Sequence, residues 1–419
     1  MMEKTKQPLM QEDWAIVMLG GALIALALSG LIIPVPAYSW NNGTELTTSV
    51  FSAGNLLAIG TQLLIVFPVA VLAAWLTGKP VKTTIPVFIV VFVITQLALV
   101  LAGNKVMKDL NLEAVIFSLA LGLIIGNCFK LPEWFREVLN AELYVKIGLV
   151  LLGCSVIFSD VMKAGGLGLV QALVVVLSVW YFAFWLCRKL KVDDDLTMMI
   201  SSAVSICGVS AAIATSGAIK GDSKKLSYVI SMVLVTAVPM MIFMPVIANY
   251  FNFPEQVTGA WLGGSIDTSG AVVASGSLVG EEALKISTIV KFSQNVLLGL
   301  AAFAISVYWT YSKSPAAGKQ EKPTLGVIWQ RFPKFILGFM GASLLFSFMV
   351  TPETNAAVKN GLKSLQGLWF ALAFTSIGLE TRFADLFRNN SRKPLWAFLI
   401  AQLFNVLITL VIAYLLFGR

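Results

Sequence analysis

The sequence predicts an all-α polytopic membrane protein with about 11–13 transmembrane segments, an inverted repeat and two broken or re-entrant helices. Three observations carry that expectation. Apolar runs of membrane-spanning length recur from Trp14 to Leu416. Charged residues make up only 12% of the 419 residues, about half the share usual in a soluble domain. Two of the runs, 196–219 and 257–279, are too rich in glycine and hydroxyls to suit lipid.

Taken in order, the apolar segments fall at 14–35, 52–77, 84–103, 113–127, 144–160, 166–187, 196–219, 227–250, 257–279, 286–311, 333–351, 366–381 and 394–417. A helical crossing needs about 20 apolar residues. The first run is longer than a signal-peptide core of roughly 7–15 residues and is read as a retained span. Residues 1–111 then form a three-span N-terminal extension, and 112–419 a core with a first repeat at 112–251 and a second at 257–417.

Charge sets the orientation. Lys4, Lys6, Lys79, Lys82, Lys130, Arg136, Lys146, Arg188, Lys189, Lys191, Lys313, Lys319, Lys322, Arg331, Arg388, Arg392 and Lys393 fall on one side if every segment crosses once. By the positive-inside rule that side is the cytoplasm, with the N-terminus inside a plasma (inner) membrane. The Lys220–Lys225 loop joins them only if segments seven and nine re-enter from opposite faces. Gly153–Asp160 (GCSVIFSD) also lines up with Gly378–Asp385 (GLETRFAD), and an odd number of crossings separates the copies, which makes the repeat inverted.

Composition excludes several classes. The net charge of +8 is scattered over short loops, so no nucleic-acid partner is expected. The chain has no histidine, which removes the commonest metal ligand and the histidine-based hydrolases. No phosphate-binding loop is present, no nucleophile–base pair stands out, and neither enzyme activity nor a cofactor is expected. Cys128, Cys154, Cys187 and Cys207 lack metal-like spacing and read as reduced, buried thiols.

The two polar segments are the candidate site. Segment seven offers Ser205, Cys207, Gly208 and Ser210; segment nine offers Ser265, Asp267, Thr268 and Ser269. Small residues also serve close helix packing. Packing alone leaves Asp267 unexplained, because a carboxylate at depth is costly and functional by default. A helix broken at midplane exposes N–H groups that suit an anion, and hydroxyls complete a shell from which the ligand can leave. Lys291, Gln294 and Asn295 share one face of the next helix, which should point inward. Lys291 can supply positive charge, or snorkel. Asp267 can pair with it, bind a cation or carry a proton. Glu380 is a second coupling candidate at the end of its segment. Asp195 is a candidate helix cap; Asn127 and Asp160 read as caps or interfacial residues.

The runs SICGVSAAIA, LYVKIGLVLLG, STIVKFSQNVLL and ALAFTSIGLETRFADLF…RKPL together resemble the YeiH-like sulfate exporter family, from about Leu112 onward. The resemblance implies a secondary carrier for inorganic sulfur anions. It also implies distant kinship with the sodium/proton antiporter and bile-acid symporter group, whose cores cross two broken helices and which form dimers. Where the family pattern reads SIHDTAQVVAAG, this chain places Asp267 at the histidine, Thr268 at the aspartate and Ala271 at the glutamine. Gln294 replaces the arginine that follows the family's lysine. The expected function is secondary transport of a small anion such as sulfate, sulfite or a carboxylate, coupled to a proton or sodium. The alternatives are a monovalent cation/proton antiporter and a non-transporting receptor or assembly subunit.

Overall fold

A computed structural model describes residues 8–109, 114–313, 326–383 and 392–418. Among them the regular structure is helical, apart from one isolated bridge between Trp40 and Asn104. Helices α1 (Glu12–Leu28), α2 (Ala53–Leu76) and α3 (Val81–Ala102) precede α4 (Ala114–Cys128) and α5 (Ala141–Leu152). The long α6 (Phe158–Lys189) leads into a short pair, α7 (Asp194–Ser205) and α8 (Val209–Ile219). After α9 (Ser223–Tyr250) comes a second short pair, α10 (Glu255–Ser265) and α11 (Ser269–Val279). The chain closes with α12 (Glu281–Lys313), α13 (Phe335–Phe348), α14 (Pro352–Glu380) and α15 (Lys393–Phe417). Among the described residues seven helical stretches are long and apolar enough to cross a membrane, and α4, α8, α11 and α13 are shorter apolar helices.

Two boundaries differ from the sequence expectation for physical reasons. Helix α14 starts at Pro352, not near 366. Its first turns carry Glu353, Lys359 and Lys363, so they do not read as apolar. Thr351 nevertheless caps the Thr354 N–H and Pro352 sits at the first helical position, which starts the helix early. The cap of α7 is Asp193, not Asp195: its carboxylate accepts from the Asp195 and Leu196 N–H groups at 3.1 and 3.4 Å. Asp194 and Asp195 then lie in the first turn, where the helix dipole favours negative charge. Among the described residues no thiol is in a disulfide; Cys128 is exposed, whereas Cys187 and Cys207 are buried. Asp385, which closes the second copy of the repeat motif, lies outside the described residues, as do Lys4, Lys6, Lys319, Lys322 and Arg388.

The chain folds as two compact units that do not follow chain order. The first runs to Val161 and adds Lys334–Thr381, so the N-terminal spans pack with α4, α5, α13 and α14. Helices α4 and α14 approach at glycines: a Cβ on Gly378 would lie 2.6 Å from the Leu119 carbonyl oxygen. Lipid supplies no hydrophobic drive between spans, so such close approach is itself the adhesive contact. Arg136 donates to the Gly126 and Leu379 carbonyls at 2.7 and 2.8 Å, closing both helix ends. Asn127 donates to Thr381 O at 2.9 Å, a tie between the ends of α4 and α14. Lys146 of α5 pairs with Asp13, Glu12 and Glu142 at 3.0, 3.7 and 3.6 Å, which fixes α1 against α5.

The second unit holds Met162–Pro333 and the chain from Arg382 on. Its core packs Val175, Val179 and Ala183 of α6 with Met199 and Ala203 of α7, Val229 and Met232 of α9, and Phe398 of α15. Phe182 stacks on Phe404 with ring centroids 4.0 Å apart. Both short helix pairs belong to this unit, with α12 packed against α8, α10 and α11.

Candidate functional site

The site is the place where two helix interruptions meet. Helix α7 ends at Ser205; Ile206 leaves helical geometry (φ −117°, ψ −85°) and Gly208 takes φ +58° before α8 begins. A left-handed φ favours glycine, the one residue without a Cβ to clash. Helix α10 ends at Ser265, and the chain runs extended through Ile266 and Thr268. The Thr268 hydroxyl then accepts from the Ala271 N–H at 3.3 Å and restarts the helix as α11. A Cβ on Gly208 would sit 3.1 Å from the Asp267 Cβ, 3.3 Å from its carbonyl oxygen and 2.6 Å from Val233 Cγ1. The missing side chain is what lets the two breaks touch.

Each break creates a carbonyl end and an N–H end. The carbonyl ends are closed by side-chain donors. Lys291 of α12 donates to Ile206 O at 3.0 Å and to Gln294 Oε1 at 2.7 Å. Gln294 donates to Ser205 O at 3.0 Å and to Gly264 O at 3.2 Å, one amide bridging both broken helices. From α15, Asn405 donates to Val204 O at 3.0 Å and Ser265 O at 3.2 Å, and Gln402 donates to Ser265 O at 2.8 Å. Thr409 holds Asn405 through its Oδ1 at 2.9 Å. An ammonium at the carbonyl end of α7 also meets the negative end of that helix dipole.

The N–H ends are different. The first N–H groups of α8 and α11 have no acceptor inside their own helix. Thr268 takes one of them. Ser210, Thr268 and Ser269 are only partly buried at these helix starts, unlike the fully enclosed Ser205 and Ser265. Two N-terminal ends therefore begin at the crossing, the arrangement that favours an anionic ligand.

Asp267 is 2% exposed and Lys291 1%. Among the described residues Asp267 Oδ2 has no hydrogen-bond partner, and neither has Ser265 Oγ, Asn295 Oδ1 or Gln402 Oε1. Asn295 Nδ2 donates to Ser269 Oγ at 3.3 Å.

Ser205, Cys207, Gly208, Ser210, Ser265, Asp267, Thr268, Ser269, Lys291, Gln294 and Asn295 thus all fall within the second unit, on the two breaks or on the face of α12 beside them. Their roles differ in detail. Ser205 turns its hydroxyl back onto Ser201 O at 2.7 Å and offers its carbonyl to the site. Glu380 belongs to the first unit, where its carboxylate accepts from the Ala141 N–H at 3.1 Å and caps α5. Gln402 and Asn405 carry no motif. Their signal is spacing: Gln402, Asn405 and Thr409 stripe one face of an otherwise apolar α15.

The family described as Conserved hypothetical protein 698 matches residues 86–397. A UPF0324 membrane protein of Rhodopirellula baltica is 40% identical over 366 residues, covering 84% of this chain and 67% of its own length. A UPF0324 membrane protein of Nitratidesulfovibrio vulgaris is 36% identical over 397 residues, covering 91% and 66%. The chain belongs to the Conserved hypothetical protein 698 family. It spans about two thirds of the length of these UPF0324 relatives. No solved structure matches. The Conserved hypothetical protein 698 region contains both breaks and Lys291 and stops before Gln402 and Asn405. The relatives are named as membrane proteins, and this chain is a membrane protein with many apolar helices.

Proposed function

We propose that the chain is a secondary active transporter that moves a small oxyanion across the plasma membrane by alternating access at the crossing. The observation that carries this reading is the asymmetry of the two breaks. Their carbonyl ends are closed by Lys291, Gln294, Gln402 and Asn405, while the N-terminal ends of α8 and α11 start at the same place. Broken helices with N-termini at midplane are a recurring way to hold an anion in a carrier. Sulfate, sulfite and small carboxylates suit the two N-terminal ends by their negative charge, and the sulfate-exporter resemblance favours the sulfur oxyanions. Ser210, Thr268 and Ser269 would contact the anion, Lys291 would hold the local potential positive, and Asp267 would couple transport to a second ion. The basic loops orient the N-terminus to the cytoplasm.

The unpaired carboxylate oxygen of Asp267 favours a second reading, a monovalent cation/proton antiporter. Reconstituted flux separates the two. Uptake of labelled sulfate or sulfite into proteoliposomes, saturable and blocked by the other anion, supports the first reading. Failure of every oxyanion and carboxylate to move, with sodium moving against a proton gradient, supports the second.

A further inference from the structure

The two ends of the first broken segment lie on the same face. Lys225, in the first turn of α9, pairs with Asp193 and Asp195 at the start of α7, at 2.6 and 3.3 Å. Helix α8 therefore leads from the crossing back to the side where α7 begins, the side whose basic loops orient it to the cytoplasm. One side of α8 is bare: Ser210 is half-buried, Ile213 is 44% exposed, and Gly217 and Lys220 are exposed. Their spacing makes them one stripe along the helix. Helix α11 has no such stripe near its start, since Gly270 to Gly276 are all buried.

Arg331 lies on that stripe. It ends the short helix Gly326–Arg331, which packs on α12 where a Cβ on Gly299 would meet Ile328 O at 2.5 Å. Gly299 lies about 12 Å along α12 from Lys291. The Arg331 guanidinium stands 3.1 Å from where a Cβ on Gly217 would be, and Gly217 lies about 10 Å along α8 from Ser210. Among the described residues the Arg331 and Lys220 side chains have no hydrogen-bond or ion-pair partner. The acids of the neighbouring loops are engaged elsewhere. Asp194 holds Arg188, Asp193 and Asp195 hold Lys225, and Asp222 accepts from the Lys224 and Lys225 N–H groups. The positive charge on the stripe is thus uncompensated. A guanidinium is a planar fork that matches two oxygens of a sulfate or a carboxylate, and the glycine beneath it leaves room for the anion. A stripe turned to lipid would instead be apolar, like the exposed Val170, Leu173 and Leu177 of α6.

We infer that Arg331 is a second oxyanion-binding station, on the approach to the crossing from the cytoplasmic side. The anion moves between Arg331 and Ser210 along the bare face of α8, and Lys220 adds attraction at its mouth. The transit role rests on the transporter reading above; binding at Arg331 does not.

The test is phenylglyoxal labelling of the purified full chain in detergent, each arginine being followed by peptide mass spectrometry. Sulfate should slow the labelling of Arg331 about fivefold or more, saturably, at an ionic strength held constant with chloride, which lacks paired oxygens. Arg188, held by Asp194, is the control and should keep its rate. Labelling of Arg331 that sulfate leaves unchanged, or slows no more than that of Arg188, overturns the station. Protection by phosphatidylglycerol with none by sulfate also overturns it, and makes Arg331 a lipid-headgroup site. In proteoliposomes, Arg331→Gln should raise the KM for sulfate on the cytoplasmic face about tenfold, with Arg331→Lys in between; unchanged KM values contradict the transit role. Protection without oxyanion flux keeps the station and removes the carrier; oxyanion flux without protection does the reverse.

Discussion

Gly208 touches Asp267: a Cβ on the glycine would stand 3.1 Å from the Cβ of the aspartate. The contact joins the break between α7 and α8 to the break between α10 and α11, and it requires the left-handed φ of +58° at Gly208. Gly208→Ala adds both strain and a clash with Val233 Cγ1. The expected cost is about 1–3 kcal/mol of stability, read as a lower midpoint of thermal unfolding in detergent, with transport lost to a greater degree than stability.

Lys291 is the buried cation that closes the α7 carbonyl end, and Asp267 is the buried carboxyl of the other break. Lys291→Met removes the ammonium from Ile206 O and the positive charge from the crossing that holds Asp267. Removing one member of a buried pair costs about 3–5 kcal/mol, and replacing both is milder. Thermal unfolding of Lys291→Met, Asp267→Asn and the double variant should show the double variant less destabilised than the sum of the singles. Simple additivity would show that the two charges do not interact.

Asn405 serves both broken helices with one amide. Asn405→Leu leaves Val204 O without that donor, while Ser265 O keeps Gln402. The expected loss is about 1–3 kcal/mol, and hydrogen exchange should rise at the end of α7 more than at the end of α10.

At the loop surface, Asp193 caps α7 and pairs with Lys225 at 2.6 Å, and Lys225 reaches Asp195 at 3.3 Å. Partial burial works to raise the Asp193 pKa. The Lys225 ammonium and the Leu196 and Asp195 N–H groups outweigh it and hold the carboxyl below its ordinary 3.8. A carboxylate depressed in the folded state adds stability above its unfolded value, and that stability fades as pH falls from 3.8 through the lower folded value. Lys225→Ala should cost less than about 1 kcal/mol, because the pair is exposed and screened by salt. Unfolding of the variant and the wild type should converge at the acid end.

The sequence makes the spans, the two polar segments and the inward polar face of Lys291, Gln294 and Asn295 legible, because apolar length and helical spacing are local signals. Three features carry no apolar signal, and the last two are not local. The early start of α14 hides behind Glu353, Lys359 and Lys363, where capping rather than apolarity decides. The closing of the carbonyl ends depends on Gln402 and Asn405, more than 120 residues beyond the second break, where only a polar stripe in an apolar helix marks them. The place of Glu380 at the N-terminus of α5 follows from the packing of α4, α5 and α14, which no motif encodes.

The most direct measurement of the central claim is a structure of the chain bound to selenite, the heavier analogue of sulfite, with the anion located by its anomalous scattering. The account predicts selenium at the crossing, against the N-terminal ends of α8 and α11 beside Ser210 and Ser269. Selenite bound away from both breaks, with the crossing closed around Asp267 and Lys291 alone, would contradict it.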